Sequence, residues 1–104
     1  MIIHIAMYQL KNKEKKQEMI QKLKTMEACP LIQKNFVKDT CFPQLSSLPS
    51  PLFGDVVHIA AFKTIEDAEN FPESLAHLQL MKETNDDVQQ VMTMDFVDET
   101  NKLI

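Results

Sequence analysis

Two short stretches of this chain, Ile2-Ile3-His4-Ile5-Ala6-Met7-Tyr8 and Val56-Val57-His58-Ile59-Ala60-Ala61-Phe62, are apolar at both odd and even positions. Side chains alternate across a strand, so a segment with no charge on either set needs cover on both faces. Such strands belong in the middle of a sheet, and the remaining elements must be arranged around them. Each run holds a histidine. The third and last histidine, His77, lies in a short helical segment after Pro72.

At 104 residues the chain is one domain, of a size at which self-association adds useful stability. No apolar run is long enough to cross a bilayer, so no membrane partner is expected. A net charge of −4 excludes the lysine and arginine excess that neutralises phosphates, so nucleic acid is not an expected partner either. The basic cluster from Lys11 to Lys16 follows the first apolar run instead of preceding it, the reverse of a secretory signal, and a cytoplasmic protein is the expectation. Cys29 and Cys41 lack the C-x-x-C spacing of a zinc or redox motif and read as reduced structural thiols. Gly54 is the only glycine, which leaves no Gly-rich phosphate cradle.

Periodicity orders the elements. Residues 2–10 form a central strand. From the N-cap Asn12, the stripe Met19, Ile20, Leu23 and Met26 marks an amphipathic helix ending before Pro30. Residues 33–42, with Phe36 and Val37 in a polar setting, suit an edge strand, and Pro43, Pro49 and Pro51 with three serines mark a long loop. After the strand 56–62, the capping box Thr64-Ile65-Glu66-Asp67 opens a helix through Phe71, and Pro72 breaks it. Ser74 caps a second short helix, and Val88 to Val97 returns to strand. The order β-α-β-β-α-β predicts an α+β, ferredoxin-like fold with a four-stranded antiparallel sheet and helices on one face. Residues 1–97 make that domain, and residues 98–104 a tail that is frayed or laid across a partner. Helices can cover only one face. Ile3, Ile5, Met7, Val57, Ile59, Ala61, Met92, Met94 and Phe96 would then form an exposed apolar patch, which a homodimer joined through the open sheet face would bury.

The opening Met1-Ile2-Ile3-His4-Ile5, the stretch Asp55 to Phe62, Ala76-His77 and the closing Met94-Asp95-Phe96 resemble the stress-responsive dimeric α/β-barrel (Dabb) family. From Phe62 to Phe96 the family pattern can be laid on without gaps, whereas the loop from Pro43 to Phe53 departs from it. The resemblance implies a dimeric α+β barrel and a pocket between sheet and helices. In a plant polyketide cyclase of the family, a helix histidine works with a tyrosine six residues earlier. The histidine position falls on His77 and the tyrosine position on Phe71, so that hydroxyl is missing here. The strand-one histidine matches His4, and the pocket-wall positions fall on Ala6, Tyr8, Met19, Leu23, His58, Leu80, Val91 and Thr93. Related haem-degrading barrels rely on a pocket tryptophan, which this chain lacks.

The register of adjacent strands would bring His4 and His58 to about 5 Å, the spacing of cross-strand neighbours. Strand four runs antiparallel to strand one, which puts Asp95 where its carboxylate can orient His4. The functional expectation is a pocket for a small hydrophobic carbonyl or aromatic compound, with His77 as general base helped electrostatically by His4 and His58 and with no metal or other cofactor. Three alternatives stay open. The histidines can be satisfied core residues, the dimer itself can be the main property of a non-catalytic stress protein, or three imidazoles can form a zinc-type metal site.

Overall fold

The computed structural model describes residues 1–40 and 54–104. The expected Pro/Ser-rich loop and Cys41 lie outside the described residues. Strands β1 (Ile2–Leu10), β2 (Ile32–Asp39), β3 (Val56–Phe62) and β4 (Val88–Val97) form one antiparallel sheet in the order β2-β3-β1-β4. The ferredoxin-like α+β fold is therefore as the sequence predicts, with β1 and β3 at the centre and β2 at an edge.

The helical segments are more broken than the periodicity implies. Asn12 does cap, its side chain accepting from the Glu14 amide, but it opens a 3₁₀ turn (Lys13–Lys15) before α1 (Lys16–Lys24), and a second 3₁₀ turn (Thr25–Ala28) follows. Thr64 caps α2 (Ile65–Asn70) through the Asp67 amide, and Ser74 caps α3 (Leu75–Thr84) through the His77 amide. Pro72 sits in the 3₁₀ turn Phe71–Glu73 between them, where its missing N–H is harmless.

The helix-facing side of the sheet builds the core. Ala6, Tyr8 and Leu10 of β1 and Val56, Ala60 and Phe62 of β3 pack with Met19, Leu23, Phe71 and Leu80 from the helical segments. Burying a leucine-sized side chain contributes about 1.5–3 kcal/mol, so this layer supplies most of the driving force. Edge strand β4 is exposed along nearly its whole length, on the helix-facing side as well as on the open face. The helices rest over the other strands and leave its helix-facing strip open.

On the opposite face Met7, Phe36, Met92 and Met94 are exposed, the last two at 51% and 60%. Ile3 and Ala61, expected in the same patch, are instead fully buried. They belong to one cross-strand row, Lys34–Ala61–Ile3–Phe96. Residues 98–104 start beside Met1, whose amine donates to the Asp98 carbonyl and to Asn101. They end where the Ile104 carbonyl oxygen accepts from the Lys34 ammonium on β2, at the far end of that row.

Asp98 holds the tail's turn. Its carboxylate accepts from the Leu103 amide at 3.0 Å and from the Thr100 amide and hydroxyl at 3.1 and 2.7 Å. The Leu103 amide first, and then Thr100, hold its carboxyl below the usual aspartate range. A depressed carboxyl stabilises the turn above its unfolded-state pKa, and that contribution is lost as pH falls through the lower folded value. Acidification through this window should release the tail, with hydrogen exchange at the Thr100 and Leu103 amides rising before that of β1. Asp98→Ala should give the same pattern at neutral pH; unchanged protection of Leu103 in that variant would refute the role of Asp98.

Candidate functional site

Where the helices leave β4 uncovered, a cavity of about 500 Å³ opens between α2, the turn before α3 and the sheet. Its wall includes His4, His77, Asp95, Thr93 and Phe71 among the residues expected at the site. Ile2, Phe62, Ile65, Ala68, Glu69 and Pro72 complete it and were not foreseen. Ile65, Ala68 and Glu69 stand at i, i+3 and i+4 of α2, the spacing that puts residues on one face of a helix. That spacing was the available signal.

His4 and Asp95 are directly opposed in the β1–β4 register, and His4 Nδ1 lies 2.7 Å from Asp95 Oδ1. His4 is largely covered, whereas Asp95 remains 58% exposed. His77 is fixed from behind in a different way. Ser74 begins α3, the 3₁₀ turn aims the Pro72 carbonyl at the first helical turn, and His77 Nδ1 donates to that carbonyl at 2.9 Å. Phe71 stands between the two imidazoles, its ring centroid 6.0 Å from His4 and 4.9 Å from His77. The buried phenyl ring thus spaces the two histidines and packs on Phe62 at 5.2 Å.

With Nδ1 of each imidazole held by an acceptor, each Nε2 of these two cavity-lining side chains has no hydrogen-bond partner among the described residues. Two imidazole nitrogens facing one apolar space can take up and release protons on a bound molecule. Their second ring nitrogens fix the orientation.

The structure does not bring His58 to that wall. His58 pairs with Ala6, and the residue opposite His4 is Ala60, so the two histidines are diagonal neighbours with ring centroids 6.4 Å apart. His58 is fully buried, and its Nε2 bonds Asn35 Oδ1 at 2.5 Å, while the Asn35 amide donates to the Leu23 carbonyl at 3.3 Å. Burial, and then the nearby charge of His4 and His77, pushes His58 down to about 4. It is a neutral core histidine. Among the described residues no three His, Cys, Asp or Glu side chains form a group that could hold a metal ion, so the three-imidazole site is not assembled.

Other expected wall positions fall elsewhere for packing reasons. Ala6, Met19, Leu23 and Leu80 are buried in the helix–sheet core, where they fill the space toward α1. Tyr8 lies in the same layer, and burial pushes its hydroxyl up to about 12, which makes it a poor proton donor near neutrality. Val91 is 44% exposed on β4 and does not line the cavity.

No family model matches this sequence, and no curated protein matches it. Solved structures do resemble it. A hydroxynitrile lyase from Passiflora edulis has a TM-score of 0.75 at 14% identity, covering 94% of each chain. A Dabb family protein with a ferredoxin-like fold from Mesorhizobium loti has a TM-score of 0.72 at 14% identity, covering 93% of this chain and 95% of its own. A dimeric protein of unknown function from Bacteroides fragilis has a TM-score of 0.70 at 16% identity, with 93% and 95% covered. At these identities the likeness shows the fold, the ferredoxin-like fold that the Dabb family protein also has.

The His58 environment generates a pH test. Its ordinary value is 6.5 and its folded value about 4, so between these limits the unfolded chain takes up a proton that the folded one refuses. At roughly 1.4 kcal/mol per unit, stability should fall by about 3 kcal/mol as pH drops from 7 to 4 through this residue. Urea unfolding of the wild type and His58→Gln across that range checks it, and an identical pH slope in both proteins would contradict the assignment.

Proposed function

We propose that this chain is a cytoplasmic homodimer of the Dabb type whose cavity binds a small hydrophobic carbonyl or aromatic compound and moves a proton on it. The observation that carries this reading is the pair of oriented imidazoles, His4 and His77, sharing one largely apolar cavity. His77, with a neutral carbonyl behind it, is the base that takes a proton from carbon beside the substrate carbonyl. His4, as an imidazolium, delivers its Nε2 proton to the carbonyl oxygen, and Asp95 balances the charge it carries before transfer. The product is the enol, which reverts or rearranges when the protons return. Phe71, Thr93 and Asp95 complete the contacts, Asp95 as the positioning residue for His4. The hydroxynitrile lyase supports the reading to the extent that this fold also hosts an enzyme.

Dimerisation is supported by the exposed methionines and Phe36 on the open sheet face and by dimeric proteins of the same fold. A cytoplasmic setting agrees with Cys29, a free and buried thiol.

Proton abstraction can be read without the natural substrate. Phenylacetone in D₂O should exchange its α-hydrogens faster with the protein than with buffer, as followed by NMR. His77→Ala should lower the enhancement by about 10²- to 10⁴-fold, the usual range for one positioned acid or base, and His4→Ala should lower it as well. Exchange at the buffer rate, or exchange indifferent to both substitutions, argues for a non-catalytic role. Assembly has its own test: sedimentation should give twice the 12.0 kDa chain mass, and Met94→Glu should return it to a single chain. A wild-type protein that sediments as 12.0 kDa refutes the dimer.

A further inference from the structure

The ionisable groups on the cavity wall are His4, His77, Glu69 and Asp95. Glu69 comes from α2 and Asp95 from β4, so carboxylates enter the wall from two separate elements. No lysine lines the cavity among the described residues, and residues 41–53 contain none that could be added to it. The chain has no arginine at all. Arginine is the side chain whose planar fork grips carboxylate and phosphate; here the two carboxylates outnumber the one imidazolium, His4, which Asp95 already balances, so Glu69 leaves the wall negative toward such anions.

The same wall suits a cation on an apolar body. Phe62 and Phe71, with ring centroids 5.2 Å apart, form a buried apolar floor behind the cavity, so the carboxylates and not the ring faces supply the attraction for a cation. Ile2, Ile65 and Ala68 supply the apolar remainder. A volume of about 500 Å³ is in the range that accepts a small organic molecule.

Resting on the small-molecule reading of this cavity, we propose that its natural ligand carries a protonated amino group, held by Glu69 and Asp95, beside the apolar body that packs on Phe62 and Phe71. The substrate class becomes an aryl or alkyl amine, including amino ketones for the proton-transfer chemistry. Carboxylic acids, phosphorylated compounds and thioesters of phosphorylated carriers fall outside it.

Three probes with one ring and different charge separate the possibilities: benzylamine, benzyl alcohol and benzoate, titrated at neutral pH and followed by amide shifts at Ala68 and Thr93. Benzylamine should bind roughly tenfold more tightly than benzyl alcohol, with benzoate weakest, and added salt should narrow the gap. Glu69→Gln, a change at an exposed helix position, should bring benzylamine close to benzyl alcohol without weakening the alcohol. Equal binding of amine and alcohol, tightest binding of benzoate, or an amine preference that survives Glu69→Gln overturns the charge assignment while leaving the cavity as a binding site. If none of the three perturbs these amides, both the charge assignment and the small-molecule reading fail.

Discussion

The register of β1 between β3 and β4 is the constraint on which the rest depends. It sets His4 opposite Ala60 on one side and Asp95 on the other, and sets Ala6 opposite His58 and Thr93. Each imidazole on the two central strands therefore faces an alanine across the β1–β3 pair, and the small methyl leaves room for the ring. Two bulky residues in those places would overpack a layer that already holds Phe62 and Phe71. A slip of β1 by one residue would turn His4, Ala6 and Tyr8 to the open face and bring Ile3 to the helix-facing side, so burial on both faces of this strand protects its register.

From that register the unequal fate of the three histidines follows. His58 is one step deeper than His4, under α1 and beside Asn35, where a charge would be expensive and a neutral hydrogen-bonded ring is tolerated. His4 is one step nearer the edge strand, where a carboxylate waits and the helices stop. His77 arrives from α3, and Pro72 contributes the carbonyl that orients it. The same proline that ends α2 thus also sets which nitrogen of His77 meets the cavity.

Much of this could be read from residue pattern. The two-faced strands, the caps Asn12, Thr64 and Ser74, and the antiparallel pairing of His4 with Asp95 all rest on local chemistry or on a period of two, which a sequence displays directly. The His4–His58 pairing was misplaced because periodicity gives the face of a strand and leaves the offset between two strands open. Wall positions on α1 were misplaced because Met19 and Leu23 pack at the filled end of the layer, away from the open edge. The tail was unreadable for another reason: its anchors, Met1 and Lys34, are far away in sequence.

The open edge also decides how the site can be built without destabilising the fold. Asp95 keeps contact with water, so its attraction to His4 is screened, and exposed pairs of this kind add about 0–1 kcal/mol to stability. A hydrogen bond of 2.7 Å that is nearly neutral for folding still fixes which ring nitrogen faces the cavity, and a misplaced ring forfeits proton transfer. The Asp95 contact therefore bears on the orientation of the His4 ring more than on folding. His58, buried and tied to Asn35, has the opposite balance. Two histidines only 6.4 Å apart thus differ, His4 lining the open cavity and His58 locked in the core, according to whether a helix covers them.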